Sequence, residues 1–245
     1  MPDDPTIEAD QPEPKGASDA LRAVLASAAR LQEVVSDAVL VGGAAAALYA
    51  GHRDSADHDH VLVDLEDRYL QVLEAVEATE GWVTNVTASS PPLTILGSLG
   101  GIEAGLRQLR RRVPLETQQV MVGPGQTVQV PTAAETLRIK SYMVVQRNQV
   151  RDYLDVAALT DRYGVLQSAA ALVGIDDYYR DRSGSADSVL TALVDRLSAP
   201  APRDVKVTRQ LDRYRRLDPR WHVWSTVVGV CTALADALLG ALEST

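Results

Sequence analysis

The sequence has no phenylalanine, only three tryptophans and one cysteine among its 245 residues, so its core has to be assembled from Leu, Val, Ala and Ile. With Cys231 alone, no intramolecular disulfide can form, and a reducing compartment is expected. Basic charge is also short: 24 Lys and Arg face 33 acids, for a net charge of −9. That balance argues against indiscriminate nucleic-acid binding, although a local basic groove stays open. No run approaches roughly 18 apolar residues, and no basic segment precedes an apolar one at the N-terminus. Neither a membrane span nor a signal peptide is expected, and the chain reads as cytoplasmic.

What is present is a chain that is 46% hydrophobic and long enough for one large or two small domains. Residues 1–16 hold four prolines and five acids against one lysine, which reads as a disordered acidic tail. Ser18 can cap a helix in which Leu21, Val24, Leu25, Ala28, Leu31 and Val34 recur at helical spacing. Ala38 to Val41 suits a short buried strand, a second strand carries Asp57 through Leu65, and Glu66 to Glu80 returns as a helix ended by Gly81. Short alternating runs from Trp82 to Val130 read as mostly antiparallel strands extending the sheet, with Gly123-Pro124-Gly125 as a hairpin turn. Glycines 97, 100, 101 and 105 fall in this stretch, where close strand packing explains them better than a nucleotide loop does. Thr132 and Glu135 form a capping box, and helices are expected at 133–147, 149–163, 165–173, 185–198, 204–216 and 219–243. The fold class expected is α+β: a mixed sheet flanked by helices over 17–131, then an all-helical part over 132–245.

Val39 to Leu65 organises the rest. Gly42-Gly43 turns the chain with no Cβ in the way of a ligand, and the alanine-rich helix behind it presents free N–H groups and a positive dipole end to a phosphate. Side chains alternate along a strand, so Asp57 and Asp59 share one face, where paired hard carboxylates can hold a divalent metal. A glycine turn, a short helix and a D-x-D strand in this order are the signature of the nucleotidyltransferase superfamily, in which metal offsets the charge developing during phosphoryl transfer. His52, His58 and His60 raise a zinc or manganese alternative, but alternation turns His58 and His60 away from the aspartates.

A second constellation follows: Lys140, Arg147, Arg151, Asp152 and Asp155 on the first two C-terminal helices. A lysine and arginines beside an acidic metal site would offset triphosphate charge. Arg151 and Asp155 are four apart and able to pair, whereas Lys140 and Asp152 have no evident local partner. Arg107, Arg110, Arg111 and Arg112 form a dense basic stretch, read from charge as an acceptor contact, and Arg203 to Arg220 forms another.

The Gly42-Gly43 turn, GHRDSADHD (51–59), RIKSYMVVQR (138–147) and VRDYLDVAAL (150–159) resemble the bacterial AbiEii-like nucleotidyltransferases, including the MenT-type toxins of type IV toxin-antitoxin systems. The match runs from about 38 to 165, with DPRWHVW (218–224) adding to it. The resemblance implies a nucleotidyltransferase domain followed by a helical domain, and Mg2+-dependent transfer of a nucleotide, often a pyrimidine, from an NTP to the 3′ end of tRNA. It implies a cognate antitoxin as partner and no membrane, with Mn2+ as an alternative cofactor. Carried over by position, Ser55, Asp57 and Asp59 match the family's serine and metal pair, Lys140 its lysine and Asp152 the acid of its Arg-Asp dipeptide. The expected catalytic set is thus Asp57, Asp59, Lys140 and Asp152, and the nucleotide-binding set Gly42, Gly43, Arg53, Ser55, Lys140, Arg147 and Arg151. His58 and His60 depart from the pattern, standing where apolar residues usually flank the aspartates. Glu103, Glu116 or Asp152 would complete the metal site. Two rivals stand beside this reading: a nucleotidyltransferase with a small-molecule acceptor such as an antibiotic, and a non-catalytic member that binds a nucleotide or a partner protein.

Overall fold

The computed structural model describes residues 17–111, 113–179, 188–214 and 216–243. They group into two compact units: one runs through Arg110 and resumes at Pro114–Thr132, and the other joins Arg111–Val113 to Ala133–Thr245. The expected acidic tail, residues 1–16, and Arg112 lie outside the described residues.

In the first unit, α1 (Asp19–Val34) starts where Ser18 Oγ accepts from the Leu21 N–H at 3.0 Å, and Leu21, Val24, Leu25, Ala28 and Leu31 are buried along one stripe. The sheet holds β1 (Val39–Val41), β2 (Asp57–Leu62), β3 (Trp82–Thr84), β4 (Thr94–Leu99) and β5 (Ile102–Gln108) in the spatial order β1-β2-β5-β4-β3. Every pairing is antiparallel except β2 with β5, which is parallel. Between β1 and β2 runs α2 (Gly42–Ala50), closed by Gly51 in the left-handed region at φ 62°. After β2 comes α3 (Leu65–Glu77), whose Leu65, Tyr69, Val72 and Val76 join Leu31 of α1 and Leu62, Leu99 and Leu106 of the sheet in a single core. Apolar burial on one face of the sheet leaves its other face for polar side chains.

The last two strands depart from expectation. β6 (Thr117–Gly123) and β7 (Gln126–Pro131) form the hairpin that the Gly-Pro-Gly turn predicts, but as a separate two-stranded sheet rather than an extension of the first. The hairpin is held by α1 instead: Gln32 Nε2 donates to Gln129 O at 2.9 Å, and the Gln129 N–H donates back to Gln32 Oε1 at 2.7 Å. A side-chain amide thus takes the place of a neighbouring strand for that edge.

The second unit is helical: α4 (Ala133–Arg147), α5 (Val150–Tyr163), α6 (Val165–Leu172), α7 (Ile175–Tyr179), α8 (Val189–Ser198) and α9 (Trp224–Glu243). The helix expected over 204–216 is two 3-10 turns, Val205–Arg209 and Leu211–Arg213, because this segment carries little apolar surface and, among its described residues, buries only Leu211. The helix expected from 219 is likewise split, with a 3-10 turn at Pro219–Trp221 before α9. Among the described residues α9 is the one helix long and apolar enough to cross a membrane by length and composition, which corrects the expectation that no such segment exists. Ser225, Thr226, Gly229, Thr232, Asp236 and Gly240 break its apolar run without lowering its average enough to exclude it, and here its Val227, Cys231, Leu234 and Leu238 side packs on α5, α6 and α8. Burial pushes the Cys231 thiol up to about 12, which makes it a packing group rather than a nucleophile.

Candidate active site

Along β2, burial alternates: Asp57 and Asp59 are half-buried on one face, while His58 and His60 are fully buried on the other. Pairing of Val41 with Asp59 brings the end of β1, and so Gly42-Gly43, beside the second aspartate. Gly42 has φ +76°, the left-handed region where a side chain is strained. A Cβ at Gly43 would meet Ser55 Oγ at 2.9 Å and Arg53 Nη2 at 3.0 Å, so glycine there lets the turn approach both side chains. Ser55 is buried and its hydroxyl lies 3.0 Å from Asp57 Oδ1 and 3.1 Å from Asp57 O, positions between which it can donate. The structure therefore brings Gly42, Gly43, Arg53, Ser55, Asp57 and Asp59 together in one place.

The parallel pairing of β2 with β5 adds residues that spacing alone left open. Glu103 stands opposite Asp57 and Gly105 opposite Asp59, and partners in register share a face. Glu103 is exposed on that face, whereas Glu116 precedes the separate hairpin and Asp152 belongs to the other unit. Gly105 is required by close approach, since a Cβ there would lie 2.4 Å from Asp59 Oδ1. Arg107, two residues further along, donates from Nε to the same Oδ1 at 3.2 Å. The period-two spacing of Glu103, Gly105 and Arg107 was the available signal, but only the strand pairing says which face it occupies.

Three oxygen-donor carboxylates on one face suit a hard cation such as Mg2+ or Mn2+, which binds through one or two carboxylates and completes its shell with phosphate oxygens and water. Among the described residues no three His, Cys, Asp or Glu side chains already converge on a metal position, in keeping with Asp59 being held by Arg107. The mixed histidine site does not fit: the His58 and His60 rings lie on the core side of β2, 5.3 Å apart at an interplanar angle of 87°. Burial lowers the His58 pKa to about 4, against the raising influence of Asp59 and Asp57, and burial followed by the neighbouring His58 charge drives His60 well below 6.5. His58 Nε2 lies 3.0 Å from Ser27 Oγ, and neither ring nitrogen of His60 has a hydrogen-bond partner among the described residues.

In the helical unit the second constellation is paired internally. Lys140 Nζ lies 2.6 Å from Asp155 Oδ2 with both side chains buried, and Arg147 Nη2 donates to Asp152 Oδ1 at 2.7 Å. The expectation that Lys140 and Asp152 lack local partners is corrected, because α4 and α5 pack side by side and supply partners 15 and 5 positions away in sequence. Arg151 is exposed, and the carboxylate four residues on is the one that Lys140 holds. Burial pushes the Asp152 carboxyl up despite the offsetting charges of Arg147 and Lys140, and its Oδ2 accepts no hydrogen bond among the described residues. Arg111, expected at an RNA surface, has its side chain 3% exposed and lies 2.6 Å from Glu135, which Arg138 also meets at 2.9 Å. The carboxylate foreseen as part of a capping box thus joins two arginines. Arg110 is exposed and Arg107 faces Asp59, so the described arginines of the 107–112 stretch do not form one patch.

With this geometry in view, the chain is similar in structure to MenT4, a nucleotidyltransferase toxin from Mycobacterium tuberculosis, with a TM-score of 0.56 and 17% identity over 91% of this chain and 87% of that one. JHP933 from Helicobacter pylori aligns with a TM-score of 0.50 and 15% identity over 93% of this chain and 97% of that one. The fold is the nucleotidyltransferase fold. At these identities the likeness establishes fold alone. No family model matches the chain. In sequence it is 32% identical over 192 residues to the heme uptake protein MmpL11 of Mycobacterium tuberculosis, covering 76% of this chain and 20% of that protein. It is 36% identical over 131 residues to the mycolic acid-containing lipids exporter MmpL11 of Mycolicibacterium smegmatis, covering 54% and 13%. The chain thus spans a fifth or less of the curated relatives it matches.

Proposed function

We propose that the chain is a cytoplasmic, Mg2+-dependent nucleotidyltransferase of the AbiEii-like, MenT-type kind. In this reading it transfers a nucleotide, a pyrimidine for preference, from an NTP to the 3′ end of tRNA and is countered by an antitoxin. The observation that carries the reading is the meeting of Gly42-Gly43 and Ser55 with Asp57, Asp59 and Glu103 on one sheet face. The fold shared with a nucleotidyltransferase toxin supports it.

In this reading the free N–H groups at the start of α2, with Arg53 and Ser55 beside them, receive the phosphates of the leaving pyrophosphate. Asp57, Asp59 and Glu103 would hold the cation, whose chemistry is to neutralise charge developing on the phosphoryl oxygens. Ser55 keeps Asp57 oriented, and Gly105 leaves room for the Asp59 carboxylate. The 3′-hydroxyl of the acceptor attacks the α-phosphate and pyrophosphate departs. The resemblance would give Lys140, Arg147 and Arg151 the charge of the triphosphate and Asp152 the hydroxyl proton; Asp152 is fully buried against Arg147, so that pair would have to open first. Lys140 would likewise have to exchange Asp155 for substrate.

One observation favours a second reading, a small-molecule acceptor. The chain carries −9, and Arg111 is tied to Glu135 rather than turned outward, so the basic stretch offers tRNA fewer phosphate contacts than its composition promised. Incubation of the protein with each labelled NTP, Mg2+ and total RNA tests both. Label on RNA of tRNA size supports the first reading, and transfer only when small hydroxylated acceptors replace RNA supports the second. Absence of transfer to any acceptor, from folded protein, refutes both.

A further inference from the structure

Asp59 Oδ1 is claimed twice. It lies 2.4 Å from where a Cβ at Gly105 would stand, and it accepts a hydrogen bond from Arg107 Nε at 3.2 Å. Arg107 shares the β5 face with Glu103 and Gly105, and its side chain, 44% exposed, reaches back along that face toward Asp59. The Arg107 guanidinium therefore sets a positive charge beside the Asp59 carboxylate. A divalent cation held by Asp57, Asp59 and Glu103 would compete with Arg107 for the Asp59 carboxylate and would repel the same guanidinium. The Arg107 side chain is surface-placed and long, and it can swing away at small cost in packing. Once free, its planar fork suits a phosphate better than a single carboxylate oxygen.

We propose that Arg107 is a displaceable counter-cation of the carboxylate face, holding Asp59 until a divalent cation takes the carboxylate and then engaging a phosphate of the nucleotide. This rests on the metal reading of Asp57, Asp59 and Glu103 given above. It assigns Arg107 to substrate positioning rather than to RNA. It also makes metal and nucleotide help each other, since each removes the group that opposes the other.

The test is Mn2+ binding followed by electron paramagnetic resonance at low ionic strength on the full chain, for wild type, Arg107→Ala, Arg107→Lys and Asp59→Asn, with circular dichroism confirming the fold of each. Without nucleotide, Arg107→Ala should bind Mn2+ about three- to fivefold more tightly, the size expected from losing a partly exposed ion pair, and Arg107→Lys should stay near wild type. With saturating Mn2+, binding of the four α,β-methylene nucleotides is then compared, and the tightest of them should bind Arg107→Ala about tenfold more weakly than wild type. Mn2+ affinity that is unchanged or weaker in Arg107→Ala, while wild type binds and Asp59→Asn does not, overturns the counter-cation role and leaves the metal reading standing. Unchanged nucleotide affinity overturns the phosphate role. If wild type and Asp59→Asn are alike in failing to bind Mn2+, the metal reading itself falls and takes this inference with it.

Discussion

The two units handle charge in opposite ways. On the β2–β5 face, three carboxylates, Asp57, Asp59 and Glu103, stand against two guanidiniums, Arg107 on Asp59 and Arg53 at the Gly43 turn, and the carboxylates are within reach of water. Between α4 and α5, Lys140 and Arg147 meet Asp155 and Asp152 one for one, and three of those four side chains are buried. A buried pair must be neutral because desolvating an uncompensated charge costs far more than the pair returns, whereas a solvated acidic face can stay in deficit until a cation arrives. Imbalance therefore marks the place where a cation is needed, whereas a balanced pair holds structure and must be opened before either member can meet substrate.

The sharpest test of that contrast is to remove charge from each side. Asp57→Asn or Asp59→Asn should lower NTP transfer about a thousandfold, the loss of several kcal/mol of charge stabilisation, while calorimetry shows a melting temperature close to wild type. Near wild-type turnover by either variant would end the metal assignment. Lys140→Ala should act mainly on stability, costing about 3–5 kcal/mol because it removes the ammonium that offsets the buried Asp155 carboxylate. The double variant Lys140→Met, Asp155→Leu should recover most of that stability in urea unfolding without recovering transfer. If the single Lys140 variant unfolds like wild type, the pair is not structural.

The acid limb of stability tests the layer beneath the face. His58 has a folded pKa of about 4 against 6.5 when unfolded, and His60 moves the same way. Between those values the unfolded chain binds protons that the native one refuses, so stability is full above about pH 6.5 and falls as pH drops toward 4. The His58 part amounts to about 3 kcal/mol at about 1.4 kcal/mol per pH unit. His58→Gln, which keeps a donor for Ser27, should flatten this slope in urea titrations run from pH 7 to 4. An unchanged slope would place the acid sensitivity elsewhere.

Gly43→Ala should weaken NTP binding about tenfold, since its Cβ displaces Ser55 or Arg53, with little change in unfolding free energy; equal affinity in isothermal titration would remove the turn from the site. The smallest effect belongs to Arg110. If this exposed arginine touches an RNA phosphate, Arg110→Ala should lower the salt slope of tRNA binding by about 0.7 to 0.9 and leave NTP affinity alone. A slope that does not move takes Arg110 out of the interface.

Local patterns in the chain were enough to place the turn at Gly42-Gly43, the alternation that puts Asp57 and Asp59 on one face with His58 and His60 on the other, the Ser18 cap and the sheet-then-helices order. All of these are set within a few residues by sterics, pleat and hydrogen bonds, so neighbours in sequence suffice to specify them. Tertiary structure decided the rest. Pairing β2 with β5, more than forty residues later, selected Glu103 over Glu116 and laid Arg107 on Asp59. Packing α4 on α5 gave Lys140 its carboxylate, and folding Arg111 onto Glu135 took it out of the basic stretch. A charged side chain carries no mark in the sequence of whether its partner will be water, a substrate or another residue of the chain. That depends on which distant backbone brings an opposite charge within hydrogen-bond reach and how much water is left between them.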